Sequence, residues 1–444
     1  MNILLLSGGS GKRLWPLSNE VRSKQFIKLF KNNDGVYESM VQRIYRQIRQ
    51  VDGNANITIA TSEAQVSILQ NQLEKSVNIC VEPARRDTFP AIVLAAAYLH
   101  DIQKVGKEEI IIVCPVDPYV DEEYFRALKE LEVLADKGDT NLTLMGVNPT
   151  YPSEKYGYII PEQPEVEKSM VKAFKEKPDL ETANEYIRQG ALWNGGVFAF
   201  RLKYLLDKAD EYIGFHKYED LFVNYEKIKK ISFDYAVVEK EPSIQVMRFS
   251  GRWKDLGTWN TLTEEMSEAV LGKAVLNKSC DNLSVINELN IPVLCMGLRD
   301  MIIAASGEGI LVTTRGQSSY IKPFVDKFNQ KVMFSEKSWG SFHIIDVDEE
   351  SLTIKVTLNP GHSMNYHSHE FRDEVWTVTT GQGTVIIDGV CKKVFSGSVI
   401  SMPAGCKHTI IAKTSMQLIE VQMGKELNVE DKMTFNLPEK LNLQ

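Results

Sequence analysis

The amino-acid sequence predicts an α/β domain over residues 1–270, a small all-β module over 271–330 and a closed β-barrel or sandwich over 331–444. The first 265 residues or so alternate strand-like and helix-like stretches, which is typical of a mostly parallel sheet covered on both faces. From about residue 275, short apolar segments recur every nine residues or so and leave no room for helices. After Trp339 the pattern is β throughout, with turn signals at 359–361 and 388–389.

The composition of each stretch identifies the elements of the first part. Helical patterns cover 90–103, 122–137 and 180–189. Ligands of a mostly parallel α/β sheet bind beyond the carboxyl ends of its strands. For the all-β module, both a solenoid and a small meander fit the spacing. Apolar, β-branched runs predict strands at 57–60, 110–116, 142–147, 197–200 and 244–249.

Length, charge and cysteine usage narrow the function classes. A chain of 444 residues has room for two or three domains, and its net charge of −8 argues against a nucleic-acid partner. The six cysteines are scattered without a Cys-x-x-Cys pair, so neither a disulfide framework nor a thiolate zinc site is expected. No apolar run approaches a membrane span, and no targeting segment is recognisable. We expect a cytoplasmic enzyme with no membrane partner, and a homodimer is one option for its oligomeric state.

A glycine-rich loop follows the first apolar run, 3–6, and carries Gly8, Gly9, Gly11, Lys12 and Arg13. Glycines allow backbone torsions closed to other residues and let N–H groups approach an anion, while the two cations add positive charge. The spacing matches neither the dinucleotide fingerprint nor a Walker A loop. The loop therefore predicts phosphate handling, and the alternative is a tight turn with two solvated cations.

Ordered segments along the chain make the interpretation specific. The stretch 6–29, LSGGSGKRLWPLSNEVRSKQFIKL, resembles the signature of bacterial mannose-1-phosphate guanylyltransferases, a branch of the sugar-nucleotide pyrophosphorylases. The resemblance covers roughly residues 1–330 and implies a nucleotide-diphospho-sugar transferase fold, which is Rossmann-like. The further matching segments are 82–88, 114–117, 156–159, 174–178, 193–198, 233–236 and 253–259.

The resemblance implies roles for named residues. Arg13 and Lys24 would be the catalytic cations, and Asp117 and Asp255 would hold Mg²⁺, a cation that prefers oxygen ligands. Without the resemblance, Asp117 would be read as a helix cap and Asp255 as part of a turn. The residues implied to bind the nucleotide are Gly8, Gly9, Gly11, Lys12, Glu82, Arg86, Asp87 and Thr88; those implied to bind the sugar phosphate are Gly157, Glu176, Lys177 and Asn194.

Three positions depart from the pattern of these guanylyltransferases. Lys12 stands in place of threonine, Asn19 in place of arginine, and Asp87 in place of asparagine. Guanine is therefore implied by the signature at 14–18, and no base contact can be derived from the residues themselves.

The carboxy-terminal part carries a two-part histidine pattern. It reads G-x5-H-x-H-x4-E-x6-G from Gly361, then G-x5-P-x-G-x2-H from Gly397, which is the cupin signature with Ala412 in place of a final asparagine. Alternate residues of a strand share a face, so both histidines of the H-x-H should enter the barrel. His367, His369, Glu374 and His408 predict a divalent metal site for Zn or another transition metal. The alternative is a degenerate cupin that binds sugar without metal.

Fusion of the two parts resembles bifunctional enzymes that join a guanylyltransferase to a type II phosphomannose isomerase; the segments 339–342 and 418–422 match the isomerase part. The resemblance implies that GTP and mannose 1-phosphate give GDP-mannose and pyrophosphate, while the cupin interconverts fructose 6-phosphate and mannose 6-phosphate. The tail at 431–436 lacks the arginine of that family, and Arg372 is the last arginine of the chain. Two alternatives stay open: another nucleotide or hexose or heptose 1-phosphate, and a cupin that only binds sugar or regulates.

Overall fold

The computed structural model describes residues 1–9, 12–73, 77–328, 332–425, 427 and 431–437, together with the backbone of 442–443. The chain divides into two compact units. The first unit comprises Met1–Ser10, Ser23–Val66 and Lys75–Ser267, and the second comprises Gly11–Arg22, Ser67–Glu74 and Glu268–Gln444. The predicted boundaries after residues 270 and 330 stay predictions.

The elements that precede residue 268 alternate strand and helix, as the sequence predicts. The strands are β1 (Asn2–Leu6), β2 (Phe30–Lys31), β3 (Tyr37–Glu38), β4 (Asn56–Ser62), β5 (Asn78–Glu82), β6 (Ile110–Pro115), β7 (Pro118–Val120), β8 (Leu142–Val147), β9 (Tyr158–Pro161), β10 (Lys168–Lys175), β11 (Leu192–Arg201), β12 (Ile244–Phe249) and β13 (Trp253–Asp255). The helices are α1 (Met40–Val51), α2 (Glu63–Gln72), α3 (Thr88–Asp101), α4 (Glu122–Asp136), α5 (Leu180–Arg188), α6 (Leu202–Ile213), α7 (Tyr218–Asn224), α8 (Phe233–Ala236) and α9 (Trp259–Thr263).

The described residues of the first unit form a nine-stranded sheet in the order β5-β4-β1-β6-β11-β8-β12-β10-β9. β1 pairs in parallel with both β4 and β6, which aligns Leu6 with Ala60 and with Pro115. β6 is almost wholly apolar and buried, as expected for a strand covered on both faces. α3, buried along the run Phe89–Ala97, packs in the core beneath these strands. The α/β prediction is confirmed. The expectation of a mostly parallel sheet is wrong, because β11 runs antiparallel to β6 and β8, and β10 runs antiparallel to β12 and β9.

The second unit is almost entirely β-structure. Its strands are β14 (Val270–Gly272), β15 (Ala274–Leu276), β16 (Ser284–Asn287), β17 (Val293–Cys295), β18 (Met301–Ser306), β19 (Gly309–Thr314), β20 (Phe334–Lys337), β21 (Gly340–Val347), β22 (Ser351–Leu358), β23 (Tyr366–Ser368), β24 (Asp373–Thr380), β25 (Gln382–Ile387), β26 (Val390–Phe395), β27 (Val399–Met402), β28 (His408–Ala412), β29 (Met416–Met423), β30 (Met433–Phe435) and β31 (Asn442–Leu443), and its further helix is α10 (Lys322–Val325).

Strands β14 to β18 alternate between two small sheets. β14, β16 and β18 pair in parallel in one, while β15 and β17 pair in parallel in the other. Consecutive strands of a meander would pair antiparallel. Parallel pairing of every second strand is instead the arrangement of a coiled chain, and we refer to residues 270–314 as the β-coil.

Strands β20 to β31 form two sheets that enclose one core. Across the described residues their orders are β20-β21-β22-β29-β24-β27 and β30-β23-β28-β25-β26-β31. Trp376, Val378 and Leu418 are fully buried between them. The prediction of a cupin-like β-barrel is therefore confirmed.

A glycine in the β-coil provides a test of this packing. Gly272 has φ +88, and an added Cβ would lie 1.9 Å from the Asn287 carbonyl oxygen on β16. We expect Gly272→Ala to destabilise the second unit by about 1–3 kcal/mol, because a positive φ and a backbone clash act together. Gly316→Ala is the matched control, since its Cβ would meet nothing within 4 Å. Thermal unfolding should show a lower Tm for the first variant alone; equal Tm values would contradict the described coil.

Candidate active site and metal centre

A cavity of about 250 Å³ lies in the first unit, at the ends of several strands. Asp117 reaches it because β6 ends at Pro115 beside the end of β1, and Asp255 reaches it because β13 pairs with β7. Five predicted site residues line this one cavity: Asp117, Gly157, Glu176, Asn194 and Asp255.

Lys24 lies between the two aspartates. Its Nζ is 2.8 Å from Asp117 Oδ2 and 3.5 Å from Asp255 Oδ1. All three side chains are partly exposed, so solvent screens the attraction. Two carboxylates that converge on one cation are the oxygen donors that Mg²⁺ prefers, so the donor set fits the predicted ion. Because Lys24 contacts both aspartates, it would also lie close to a phosphate bound to that ion.

Glu176 and Gly157 form one wall of the cavity. Glu176 is buried and accepts a hydrogen bond of 2.6 Å from Lys177 Nζ. An added Cβ at Gly157 would lie 2.5 Å from Glu176 Oε2 and 2.9 Å from the Phe174 ring. Glycine is therefore favoured at position 157, because a Cβ there would force the Glu176 carboxylate and the Phe174 ring to move.

Asp234 is a cavity residue to which sequence reasoning gave no role. It accepts a hydrogen bond of 2.7 Å from Asn194 Nδ2. The Oδ1 of Asn194 in turn accepts a hydrogen bond from the Gly196 N–H. Burial and the neighbouring Glu176 together raise the pKa of Asp234 to about 6. The segment 233–236 was part of the resemblance, but the contact with Asn194 depends on the fold.

Aromatic side chains complete the cavity and were also missed. Tyr156 packs on Trp193 at 4.9 Å and on Trp253 at 5.7 Å between ring centroids. Trp253 Nε1 is buried and has no hydrogen-bond partner within the described residues. The cavity thus joins aromatic side chains to several carboxylates and one amide, which is a composition typical of small-molecule sites.

The residues predicted to bind the nucleotide have partners of their own. Glu82 ends β5 and accepts from Tyr225 Oη at 2.9 Å, and burial raises its pKa. Asp87 has φ 71 and caps α3 by accepting from Thr88 N–H. Thr88 Oγ1 accepts from Phe233 N–H at 2.8 Å, and Arg86 donates to the Glu226 carbonyl oxygen. None of the four lines the cavity.

The glycine loop requires one correction. Gly8 and Gly9 do not have positive φ, and a Cβ at either would meet nothing within 4 Å. Their backbone therefore uses torsions open to any residue, and the open space around them is what a close ligand approach would need. Gly11 lies outside the described residues.

Lys12 and Arg13 belong to the second unit, together with the rest of segment 12–22. Lys12 Nζ lies 3.0 Å from Asp326 Oδ1, and Trp15 packs on Phe328 at 5.1 Å between ring centroids. Asn19, one of the departures from the family pattern, donates to Glu308 Oε1 at 2.5 Å. The substituted residue therefore has a structural role in this chain, and the role of Arg13 stays a prediction.

The four predicted cupin residues meet inside the barrel. Ligand atoms of His367, His369, Glu374 and His408 all lie within 4.8 Å of one another, and all four side chains are buried. Pairing of β23 with β28 sets His367 opposite His408. Glu374 Oε1 lies 3.0 Å from His369 Nε2, and its Oε2 lies 3.2 Å from His408 Nε2.

Backbone carbonyls orient all three imidazoles. His367 Nδ1 is 2.6 Å from the Asn365 oxygen, His408 Nδ1 is 3.0 Å from the Cys406 oxygen, and His369 Nδ1 contacts the Asp431 oxygen. A proton held on each Nδ1 leaves the Nε2 lone pair directed at the centre, which is the tautomer a metal needs. Burial lowers the pKa of His367 to about 3, so this ring is neutral at physiological pH. The donor set fits a divalent transition metal.

Three neighbours of this cluster were not assigned roles from the sequence. Arg372 is buried, with Nη2 3.2 Å from His369 Nε2. Gln422 Nε2 donates to Glu374 Oε1 at 3.3 Å and to Glu420 Oε1 at 2.5 Å. Burial raises the pKa of Glu420, and the nearby Glu374 acts in the same direction. The cluster therefore has a cation and a second carboxyl group close to its ligands.

The fold and the two sites define a class of two-part proteins, an α/β transferase joined to a cupin. Within that class, the chain belongs to the nucleotidyl transferase family, whose sequence model matches residues 2–270. The model for the mannose-6-phosphate isomerase C-terminal domain matches residues 326–436.

Two curated relatives extend over nearly the whole chain. The mannose-1-phosphate guanylyltransferase of Salmonella montevideo is 29% identical over 481 residues and covers 98% of both chains. That of Escherichia coli K12 is 29% identical over 476 residues and covers 97% of both. The crystal structure of mannose-1-phosphate geranyltransferase from Thermus thermophilus matches with a TM-score of 0.63 and 28% identity, over 73% of this chain and 98% of that one. No helix among the described residues combines the length and apolar character that crossing a membrane requires.

Removal of one imidazole tests the cupin cluster. We expect His367→Ala to lower the bound divalent metal at least tenfold, because three donors remain and one Nε2 is lost. His362→Ala is the matched control, since its Nδ1 contacts the Pro360 oxygen outside the cluster. Elemental analysis after dialysis against a mixture of divalent metals gives the ratio. Equal metal in both variants would refute the ligand assignment.

Proposed function

We propose that this chain transfers a guanylyl group from GTP to mannose 1-phosphate and forms GDP-mannose and pyrophosphate. The observation that carries the proposal is the meeting of Lys24, Asp117 and Asp255 beside the cavity of Glu176 and Asn194. The relatives that span the whole chain carry the name mannose-1-phosphate guanylyltransferase, which supports the same activity. Free cysteines throughout suit a cytoplasmic enzyme.

This reaction depends on the positions and charges of the protein groups more than on covalent catalysis. A phosphate oxygen of mannose 1-phosphate bonds to the α-phosphorus of GTP, the bond from that phosphorus to the bridging oxygen breaks, and pyrophosphate leaves. Mg²⁺ held by Asp117 and Asp255 would neutralise charge on the phosphates. Lys24 and Arg13 would stabilise the charge that develops as pyrophosphate departs.

The sugar side of the site would orient the attacking phosphate. Glu176 and the Asn194–Asp234 pair offer oxygens that accept hydrogen bonds from hydroxyls of the ring, while Lys177 supplies charge for the phosphate. The nucleotide side would use Gly8, Gly9, Gly11 and Lys12 for the phosphates. The segment with Glu82, Arg86, Asp87 and Thr88 would receive the nucleoside, because it lies at the carboxyl end of β5.

Neutralising one carboxylate tests the transfer site. We expect Asp255→Asn to lower kcat by about 100-fold or more, since a preorganised charge at the reacting phosphate is lost. Asp139→Asn, at an exposed aspartate of the same unit, should change kcat less than twofold. Pyrophosphate release with GTP and mannose 1-phosphate gives the rates, and circular dichroism checks the fold. Similar rates for the two variants would contradict the assignment of Asp255 to the transfer site.

The buried His₃Glu cluster favours a second activity, interconversion of mannose 6-phosphate and fructose 6-phosphate. The isomerase-domain match at 326–436 supports it. Isomerisation moves a proton between C1 and C2, and a bound divalent metal would order the sugar's hydroxyl and carbonyl. Arg372, beside His369, is a cation within the cluster despite the tail's lack of arginine.

The same histidine variant separates catalysis from regulation. His367→Ala should abolish hexose 6-phosphate isomerisation and leave transferase kcat within about twofold, because the variant removes a cupin ligand only. A coupled assay of fructose 6-phosphate measures the first, and pyrophosphate release measures the second. If the native chain isomerises nothing with any divalent metal, the cupin is a binding or regulatory module.

A further inference from the structure

The second unit contains a cavity of about 340 Å³ that neither proposed activity uses. Segment 16–22, the β-coil and the first strands of the barrel form its walls. It shares no lining residue with the cavity of the first unit or with the His₃Glu cluster. Its volume is in the range of small-molecule sites, which starts at about 300 Å³.

Arg22 is the most buried charge in this lining, at 6% exposure. Its two terminal nitrogens each donate to Glu288 at 2.9 Å, and its guanidinium lies 4.8 Å from the Phe334 ring centroid. The remaining donor, Nε, is buried and has no hydrogen-bond partner in the part of the chain that the structure describes. A buried N–H without an acceptor is costly, so an acceptor from a ligand would be favourable here.

Lys355 and His343 form a basic corner of the same cavity. They face each other directly across β22 and β21. Neither side chain has a hydrogen bond or ion pair to another described residue, although the His343 ring packs on Phe334 at 4.3 Å. Burial, Lys355 and Arg22 lower the pKa of His343, and Glu288 opposes them. Lys355 therefore supplies the positive charge of this corner and the neutral imidazole can supply an N–H donor, so the corner favours an anion.

Oxygen acceptors occupy another part of the lining. Glu308 is half-buried and accepts a hydrogen bond from Asn19 Nδ2. Burial raises the pKa of its carboxyl group. Ser306 and Asn290 lie in the same wall of the β-coil. Carboxylate and amide oxygens accept hydrogen bonds from hydroxyl groups. The cavity thus offers cations in one place and hydroxyl acceptors in another.

We propose that this cavity binds a phosphate monoester of a hydroxylated molecule, with its phosphate on Lys355, His343 and Arg22 Nε and its hydroxyls on Glu308 and Asn290. The binding goes beyond the proposed activities. It has a consequence for segment 12–22, because Arg22 and Asn19 line the cavity and hold that segment on the β-coil. An occupied cavity stiffens the segment that carries Lys12 and Arg13; an effect on guanylyl transfer rests on the proposed function, whereas the binding does not.

Calorimetry without GTP tests the binding. The full chain is titrated separately with mannose 6-phosphate, GMP and inorganic phosphate, so that the arms separate a sugar phosphate, a nucleotide and the free anion. Lys355→Met should weaken one saturable site at least tenfold, since a charge-assisted hydrogen bond is lost. Lys393→Met, at an exposed lysine of β26, is the matched control and should leave every affinity unchanged.

Sites elsewhere in the chain keep their affinity in Lys355→Met, so the loss is specific to this cavity. If none of the three probes loses affinity while Lys355→Met keeps the native Tm, the site does not exist. If the loss also appears with Lys393→Met, it reflects surface charge and the site is likewise refuted.

Hydrogen exchange of segment 12–22 tests the coupling. Saturation with the probe that binds should slow exchange of amides in this segment severalfold, and Lys355→Met should remove the effect. If a probe binds but the exchange rates at 12–22 do not change, the proposed coupling is wrong, whereas the proposed binding site stands. Because no substrate turnover is measured, failure of the transferase assignment cannot produce either result.

Discussion

Parallel pairing of β1 with β6 is the constraint on which the first unit depends. Because the two strands run parallel, the loops that follow them leave the sheet at the same edge. Gly8 and Asp117 therefore follow neighbouring strand ends, although more than one hundred residues separate them in the chain. The short pairing of β13 with β7 then brings Asp255 to the same edge.

Electrostatics explains why this edge tolerates two carboxylates. Asp117 and Asp255 would repel each other if nothing lay between them, and Lys24 supplies the intervening positive charge. A divalent cation would supply the same charge more strongly and from a smaller volume. The two carboxylates therefore form a site whose charge either cation can balance.

The barrel holds three imidazoles in a buried place and fixes their orientation. Burial lowers the pKa of His367, and backbone carbonyls contact the Nδ1 of each ring. The nearby Glu420, whose pKa burial raises, and the buried Arg372 add a carboxyl group and a cation beside the cluster. The three imidazoles and Glu374 together form a donor set that fits a divalent metal.

Local sequence determined much of this protein. Strand and helix positions followed from apolar periodicity, because each element must bury one face or both, and the histidine spacing identified the barrel because alternate strand residues share a face. Gly157 was named from a motif, but its steric reason needed the fold. The Asn194–Asp234 pair, the neighbours of the histidine cluster and the assignment of segment 12–22 to the second unit were decided only by tertiary structure. Such contacts join residues that are remote in sequence, and strand register and packing fix them, whereas local propensity does not encode either.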